Sequence, residues 1–138
     1  MSDPLVPELT DLVFQAAGLL RNGFNEIAAD LGLTAAQGLA LVHLRGRAPM
    51  RELAEIMSCD ASNITGIVDG LERRGLVTRQ TAPTDRRIKH VVLTDEGLYC
   101  QNRLTTEANN RAAALFAVLG ADRRRLNDLL TAVVHQGR

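Results

Sequence analysis

The 138-residue chain is 46% apolar and 23% charged, which excludes wholesale disorder and leaves room for one domain of 15.0 kDa. Sixteen basic residues balance sixteen acidic ones, yet net charge runs −4 over residues 1–44, +3 over 45–90 and +1 over 91–138. Such a gradient points to a polyanionic partner for the middle third. Aromatics are 3% of the chain, so Leu, Val, Ile and Ala must build the core, a composition suited to helix-on-helix packing. Two cysteines cannot form a disulfide framework and fit a reducing cytoplasm. The opening MSDPLVPEL lacks a signal peptide's basic region and apolar core, and the longest apolar run, Ala112 to Leu119, is too short to span a bilayer.

Residues 5–31 read as one helix, with Leu5, Leu9, Leu12, Val13, Ala16, Leu20, Phe24, Ile27 and Leu31 at three- and four-residue steps. Gly32 ends it. Thr34 and Gln37 form the pattern of a capping box, opening a second helix that runs to Gly46. Arg47-Ala48-Pro49 is an extended link, because residues before proline avoid the helical region. A short helix follows over Arg51–Met57, and Asp60 is a good cap for a fourth helix over 61–74. That helix has an apolar stripe of Ile64, Ile67, Val68 and Leu71, and Gly75 is its natural stop. The period then changes. Residues 76–81 and 88–93 are strand-like around the turn Ala82-Pro83-Thr84-Asp85, predicting a hairpin. Thr94 caps a fifth helix ending near Leu119, Gly120 stops it, and a sixth runs from Asp122 to His135.

This order predicts a mainly α fold with a small β-hairpin (α+β): a winged helix-turn-helix over 34–94, within a single domain spanning 1–138. Segments 1–33 and 95–138 flank it as dimerisation helices. Their apolar stripes exceed what so small a centre can bury alone, so a second copy is expected to cover them.

The wing carries a recognisable spacing: Asp85-x-Arg87, five residues, then Leu93-Thr94, preceded by Leu71, Gly75, Leu76 and Val77. With Glu52-Leu53-Ala54 in the short third helix, these residues make the chain similar to the MarR family of bacterial transcription regulators. The resemblance extends over nearly the whole chain. It implies a homodimer on a pseudo-palindromic double-stranded operator, with the fourth helix in the major groove and the wing arginine in or near the minor groove. It also implies a repressor released by a small phenolic or aromatic effector, held between the dimer helices and the DNA-binding lobe. Intertwined chain ends would bring Arg123, Arg124 and Arg125 to Asp3, Glu8 and Asp11 of the other subunit.

On that reading Ser62, Asn63 and Thr65 contact bases, Arg86 and Arg87 contact DNA from the wing, and Lys89 contacts phosphate. Asp85 orients Arg87, as a carboxylate suits a guanidinium. Phe14, Arg21 and His43 are the residues assigned to the effector cleft. Each site also has a plain structural reading: a solvated turn, a helix's first turn, a core or surface residue. The chain departs from the family at Gly66 and Gly70, where long basic side chains are common. Drift and close backbone approach to DNA both account for this, and either makes direct base readout thin.

A winged-helix module for protein partners and a thiol sensor built on Cys59 are the alternatives. Cys59 has no resolving cysteine nearby in sequence, and Cys100 reads as a small apolar residue of the fifth helix. His43, His90 and His135 lie on three elements without metal-ligand spacing. With no phosphate loop, GxSxG or HExxH, neither catalytic residues, metal nor cofactor is expected.

Overall fold

The first apolar stripe is realised as a 26-residue helix, α1 (Leu5–Asp30). In the computed structural model, which describes residues 2–138, only its last turns are buried, through Ile27 and Ala28. Gly32 takes φ 75°, so Leu33 N–H reaches back to Ala28 O at 2.9 Å. This is the left-handed stop that a glycine permits.

Helix α2 (Ala35–His43) opens with the reciprocal cap: Thr34 Oγ1 accepts from Gln37 N–H at 3.1 Å, and Gln37 Oε1 accepts from Thr34 N–H at 3.0 Å. It stops three residues before Gly46, because Leu44 is extended and wholly buried. The next segment is a strand rather than a link. β1 (Arg47–Pro49) pairs antiparallel with residues Lys89–Leu93, placing Arg47 opposite Val92 and Pro49 opposite His90. A three-residue strand is too short for period-two alternation to register. Proline is tolerated because β1 is an edge strand.

Helices α3 (Met50–Ile56) and α4 (Ala61–Arg73) form the helix-turn-helix, followed by β2 (Val77–Thr81) and β3 (Lys89–Leu93). The sheet order is β1-β3-β2, with Val77 opposite Leu93 and Thr81 opposite Lys89. The expected hairpin is therefore the larger part of a three-stranded antiparallel sheet. Leu41, Leu53, Ile64, Val68, Leu71, Val77 and Val91 fill the core beneath it, joined by Leu104 from the helix that follows the sheet.

Helix α5 (Asp95–Phe116) is capped by Thr94, whose Oγ1 accepts from Gly97 N–H at 3.0 Å and donates to Gly75 O at 2.6 Å. Gly97 meets the backbone of Leu76 so closely that a Cβ there would overlap the Leu76 carbonyl oxygen. Helix α5 ends at Phe116, and Ala117–Asp122 winds into a tighter 3-10 turn in which Gly120 has φ 54°. Helix α6 (Arg123–Gln136) then buries none of its residues, leaving Leu129, Val133 and Val134 at least half exposed. The N-terminal half of α1 is likewise open at Leu5, Leu9, Leu12 and Val13.

Candidate nucleic-acid interface

The exposed start of α4 is organised around Asp60. Its Oδ1 accepts from Asn63 N–H at 2.8 Å and from Ser62 Oγ at 2.9 Å. The Asn63 N–H, then the Ser62 hydroxyl, hold the Asp60 carboxyl below its ordinary 3.8. A carboxylate depressed in the folded chain contributes stability that is present above 3.8 and lost as pH falls through the folded value. The Asn63 amide resonance is therefore expected to titrate with a midpoint below 3.8, with the first turn of α4 fraying beneath it. An NMR pH titration checks this, and a midpoint at or above the ordinary value contradicts it.

Ser62, Asn63 and Thr65 are all exposed. Ser62 donates its hydroxyl proton to Asp60, and Thr65 Oγ1 donates to Ala61 O at 2.8 Å, so each keeps only acceptor capacity for a ligand. The Asn63 side-chain amide makes no hydrogen bond among the described residues, leaving its donor and acceptor together for a base edge.

The two glycines of α4 separate. Gly70 is buried against α2, and a Cβ there would run into the Gln37 amide nitrogen, so its reason is helix packing rather than approach to DNA. Gly66 is exposed, with nothing near its Cβ position. Gly66→Ala is expected to raise unfolding stability by about 1 kcal/mol through helix propensity. Gly70→Ala gains the same propensity but displaces the Gln37 amide from the α2 cap, and is expected near neutral. Urea midpoints of the two variants check the contrast.

In the wing, Asp85 Oδ1 accepts from Arg87 N–H at 2.9 Å and lies 3.3 Å from Arg87 Nε, while Oδ2 lies 3.4 Å from Nη2. That backbone N–H first, and the guanidinium second, hold the Asp85 carboxyl below its usual range. The Arg87 side chain is 91% exposed, so the fork aims it without burying it. The turn is closed by Ala82 N–H to Ile88 O at 2.8 Å and Ile88 N–H to Asp85 O at 3.1 Å. Arg86 is exposed beside it, and Lys89 Nζ donates to Thr81 Oγ1 at 3.2 Å across the strand pair. Asp85, Arg86, Arg87 and Lys89 thus share the hairpin tip, while Ser62, Asn63 and Thr65 share one end of α4.

Sequence reasoning does not single out Arg79. From β2 its guanidinium donates to Asp69 and to Glu72 (2.7 Å) of α4, and reaches Thr65 O at 3.4 Å. It braces the wing against α4. The signal is present: period two places Arg79 on the face of buried Val77, and Asp69 and Glu72 are one helical turn apart. A second contact beyond the sequence reading is Arg47 Nε donating to His90 Nδ1 at 2.9 Å, tying β1 to β3.

The residues assigned to an effector cleft do not line the apolar concavity between α1 and α5. Phe14 is 71% exposed on α1, Arg21 is exposed farther along it, and His43 is exposed at the end of α2. The concavity between α1 and α5, about 180 Å³, is lined instead by residues including Leu20, Phe24, Ala108, Arg111 and Leu115. The difference is one of helix face: these line the side that α1 turns to α5, whereas Phe14 and Arg21 stand on open surface. Arg111 Nη1 donates to Glu26 Oε2 at 2.6 Å and to Gly23 O at 3.3 Å.

Cys59 is half-buried in a groove between α3 and α4 beside Met50, Ala54 and Ile64. Cys100 is buried in α5, and burial pushes its thiol up against the opposing pull of Arg74 and Arg103. No cluster of His, Cys, Asp and Glu that could hold a metal occurs among the described residues.

Residues 31–89, the stretch that holds α2 to the wing, match the model of the MarR family. The transcriptional repressor NicR of Pseudomonas putida is 35% identical over 105 residues, covering 70% of this chain and 66% of NicR. The chain spans about half the length of most curated relatives it matches. Among solved structures, CouR of Rhodococcus jostii RHA1 bound to p-coumaroyl-CoA superposes with a TM-score of 0.75 at 27% identity, covering 96% of this chain and 95% of CouR. NadR in complex with 4-hydroxyphenylacetate gives a TM-score of 0.73 at 27% identity, covering 91% of each chain.

Proposed function

The chain belongs to the MarR family, and from that membership we propose that it is a cytoplasmic, homodimeric DNA-binding regulator of transcription. It acts as a repressor on a pseudo-palindromic operator and leaves DNA when a small aromatic acid binds. The observation that carries the reading is the wing tip: a carboxylate fork holding a 91% exposed guanidinium, on the hairpin that Arg79 braces to Asp69 and Glu72 of the helix whose start is exposed. That arrangement fits an Arg directed at a narrow minor groove while α4 enters the major groove.

Residues 34–94 form the DNA lobe, and 1–33 with 95–138 form the dimer lobe. Asn63 reads base edges, with Ser62 and Thr65 as acceptors. Arg86 and Lys89 meet phosphates, and Arg87 is oriented by Asp85. The open apolar faces of α1 and α6 cover one another across the two-fold axis. For the effector, CouR and NadR are similar proteins solved with aromatic acid derivatives. The α1–α5 concavity has the matching chemistry, an apolar wall with Arg111 at its rim. Phe14, Arg21 and His43 belong to its outer approach once a second chain packs against α1.

The test is selection of genomic fragments by the purified protein. Enrichment of a palindrome with half-sites about one helical turn, roughly 34 Å, apart is expected. If no sequence is enriched at low salt, the protein-interaction reading replaces this one. Exposed Gly66, in the middle of the recognition face, is the feature that favours that second reading.

A further inference from the structure

The DNA lobe and the long helices on either side of it are joined by apolar packing and by very few polar contacts. Apart from the cap where Thr94 enters α5, all side-chain hydrogen bonds crossing between 34–94 and the flanking segments, among the described residues, come from two side chains. Arg74, at the end of the recognition helix, donates from Nη1 to Gly32 O at 2.6 Å and from Nη2 to Leu31 O at 2.9 Å. Gln101, on α5, donates from Nε2 to Leu41 O at 2.7 Å and Leu44 O at 2.6 Å.

Both side chains close the C-terminal end of a helix belonging to the other lobe. Arg74 of the DNA lobe closes α1, and Gln101 of the dimer lobe closes α2. The acceptors are carbonyls at a helix's negative end, where a guanidinium is favoured and where an amide can fill acceptor capacity the helix itself leaves open. The remaining contact is non-directional. Gly38 lets α2 lie on α1, with its Cβ position 3.1 Å from Ala28 Cβ, beneath a cluster of Leu41, Leu44 and Leu104. Apolar packing resists separation, whereas a hydrogen bond weakens steeply as its angle departs from linear.

We infer that Arg74 and Gln101 are positioning residues that fix the angle between the DNA lobe and the dimer helices, and thereby the half-site separation the dimer accepts. The inference rests on the proposed DNA-binding function. Without the latches, the lobes pivot on their apolar contact and the dimer tolerates operators of altered spacing.

The probe is the palindromic duplex that wild-type protein enriches from a random library, with versions lengthened or shortened by one central base pair. The variants are Arg74→Gln, Arg74→Lys and Gln101→Leu, each compared with wild type by thermal melting. The wild-type preference for the natural spacing is expected to fall at least three-fold in Arg74→Gln and Gln101→Leu, with Arg74→Lys intermediate. An equal loss of affinity on all three duplexes, with the preference unchanged, overturns the inference and marks a purely structural role. The same uniform loss with a shallower salt slope makes Arg74 a phosphate contact and also overturns it.

A measurement without DNA separates this from the proposed function. Spin labels at Asn22→Cys and Asn63→Cys, in a background of Cys59→Ser and Cys100→Ala and diluted with unlabelled chain, report the α1–α4 distance. A distribution broadened by Arg74→Gln, or by Arg74→Lys should the first variant fold poorly, supports the latch even if wild type binds no DNA. Identical distributions overturn it.

Discussion

A chain ending at Gly120, or an intact chain carrying Val133→Asp, is expected to lose the folded state at micromolar concentration. In a lone protomer neither change should matter much, because α6 buries no residue and Val133 is 69% exposed. In a dimer closed by α1 and α6 the same positions become core. Burying each Leu or Val contributes about 1.5–3 kcal/mol as an upper estimate. Leu126, Leu129, Leu130, Val133 and Val134 are already partly covered in one chain, yet from two chains their remaining exposure is worth an amount comparable to the roughly 5–15 kcal/mol that holds a typical domain. In the Val133→Asp chain, a carboxylate buried without a partner would oppose association further. Sedimentation, with denaturation at two protein concentrations, checks this: the intact protein should be dimeric, with an unfolding midpoint that rises with concentration. A well-folded monomer of the intact chain at micromolar concentration contradicts it.

Arg87→Ala should weaken operator binding by about 1–3 kcal/mol while leaving the melting temperature unchanged, since a 91% exposed side chain contributes no core. A wing arginine that reads a narrow groove should lose more affinity on A·T-rich flanks than on G·C-rich ones. Lys89→Ala should weaken binding alike on every sequence and reduce the salt slope by about one unit. Asp85→Ala separates two roles for the carboxylate. If the fork matters, the variant partly mimics Arg87→Ala. If it does not, removing a negative charge beside DNA tightens binding. Titrations at two salt concentrations distinguish the outcomes, and unchanged binding by Arg87→Ala on every site removes the wing from the mechanism.

The elements that sequence reading locates well are those whose signals are local. Thr34 with Gln37, Asp60, Gly75 and Thr94 each mark a boundary through bonds made within a few residues, and each boundary stands where the chain chemistry puts it. The strand Arg47–Pro49 reads as a link in sequence because its pairing partner, Lys89–Leu93, lies about forty residues away and supplies the only reason for it to be a strand. Arg79 escapes notice for the same reason, since its partners sit on another element. The wing residues are legible as a motif, but the fork that aims Arg87 is geometry. The α1–α5 concavity is not legible, because helical periodicity tells which residues share a face without telling which neighbour that face meets.

The near-contact of Gly97 with the Leu76 carbonyl is placed as a fulcrum would be, where the wing leaves α5. Backbone lies against backbone there, with the Leu93 side chain alongside, so a turn of the wing relative to α5 would be centred near this point. The five residues from Val77 to Thr81 extend away from it like the arm of a lever. At strand rise that arm is about 16 Å, so a turn of about 5° moves its end by about 1.4 Å. Displacements of that size are enough to break a hydrogen bond to a phosphate. On the proposed function, an effector would then need to open the long helices only slightly to loosen such a contact. A side chain at position 97 would overlap the Leu76 carbonyl and force the lever from its place.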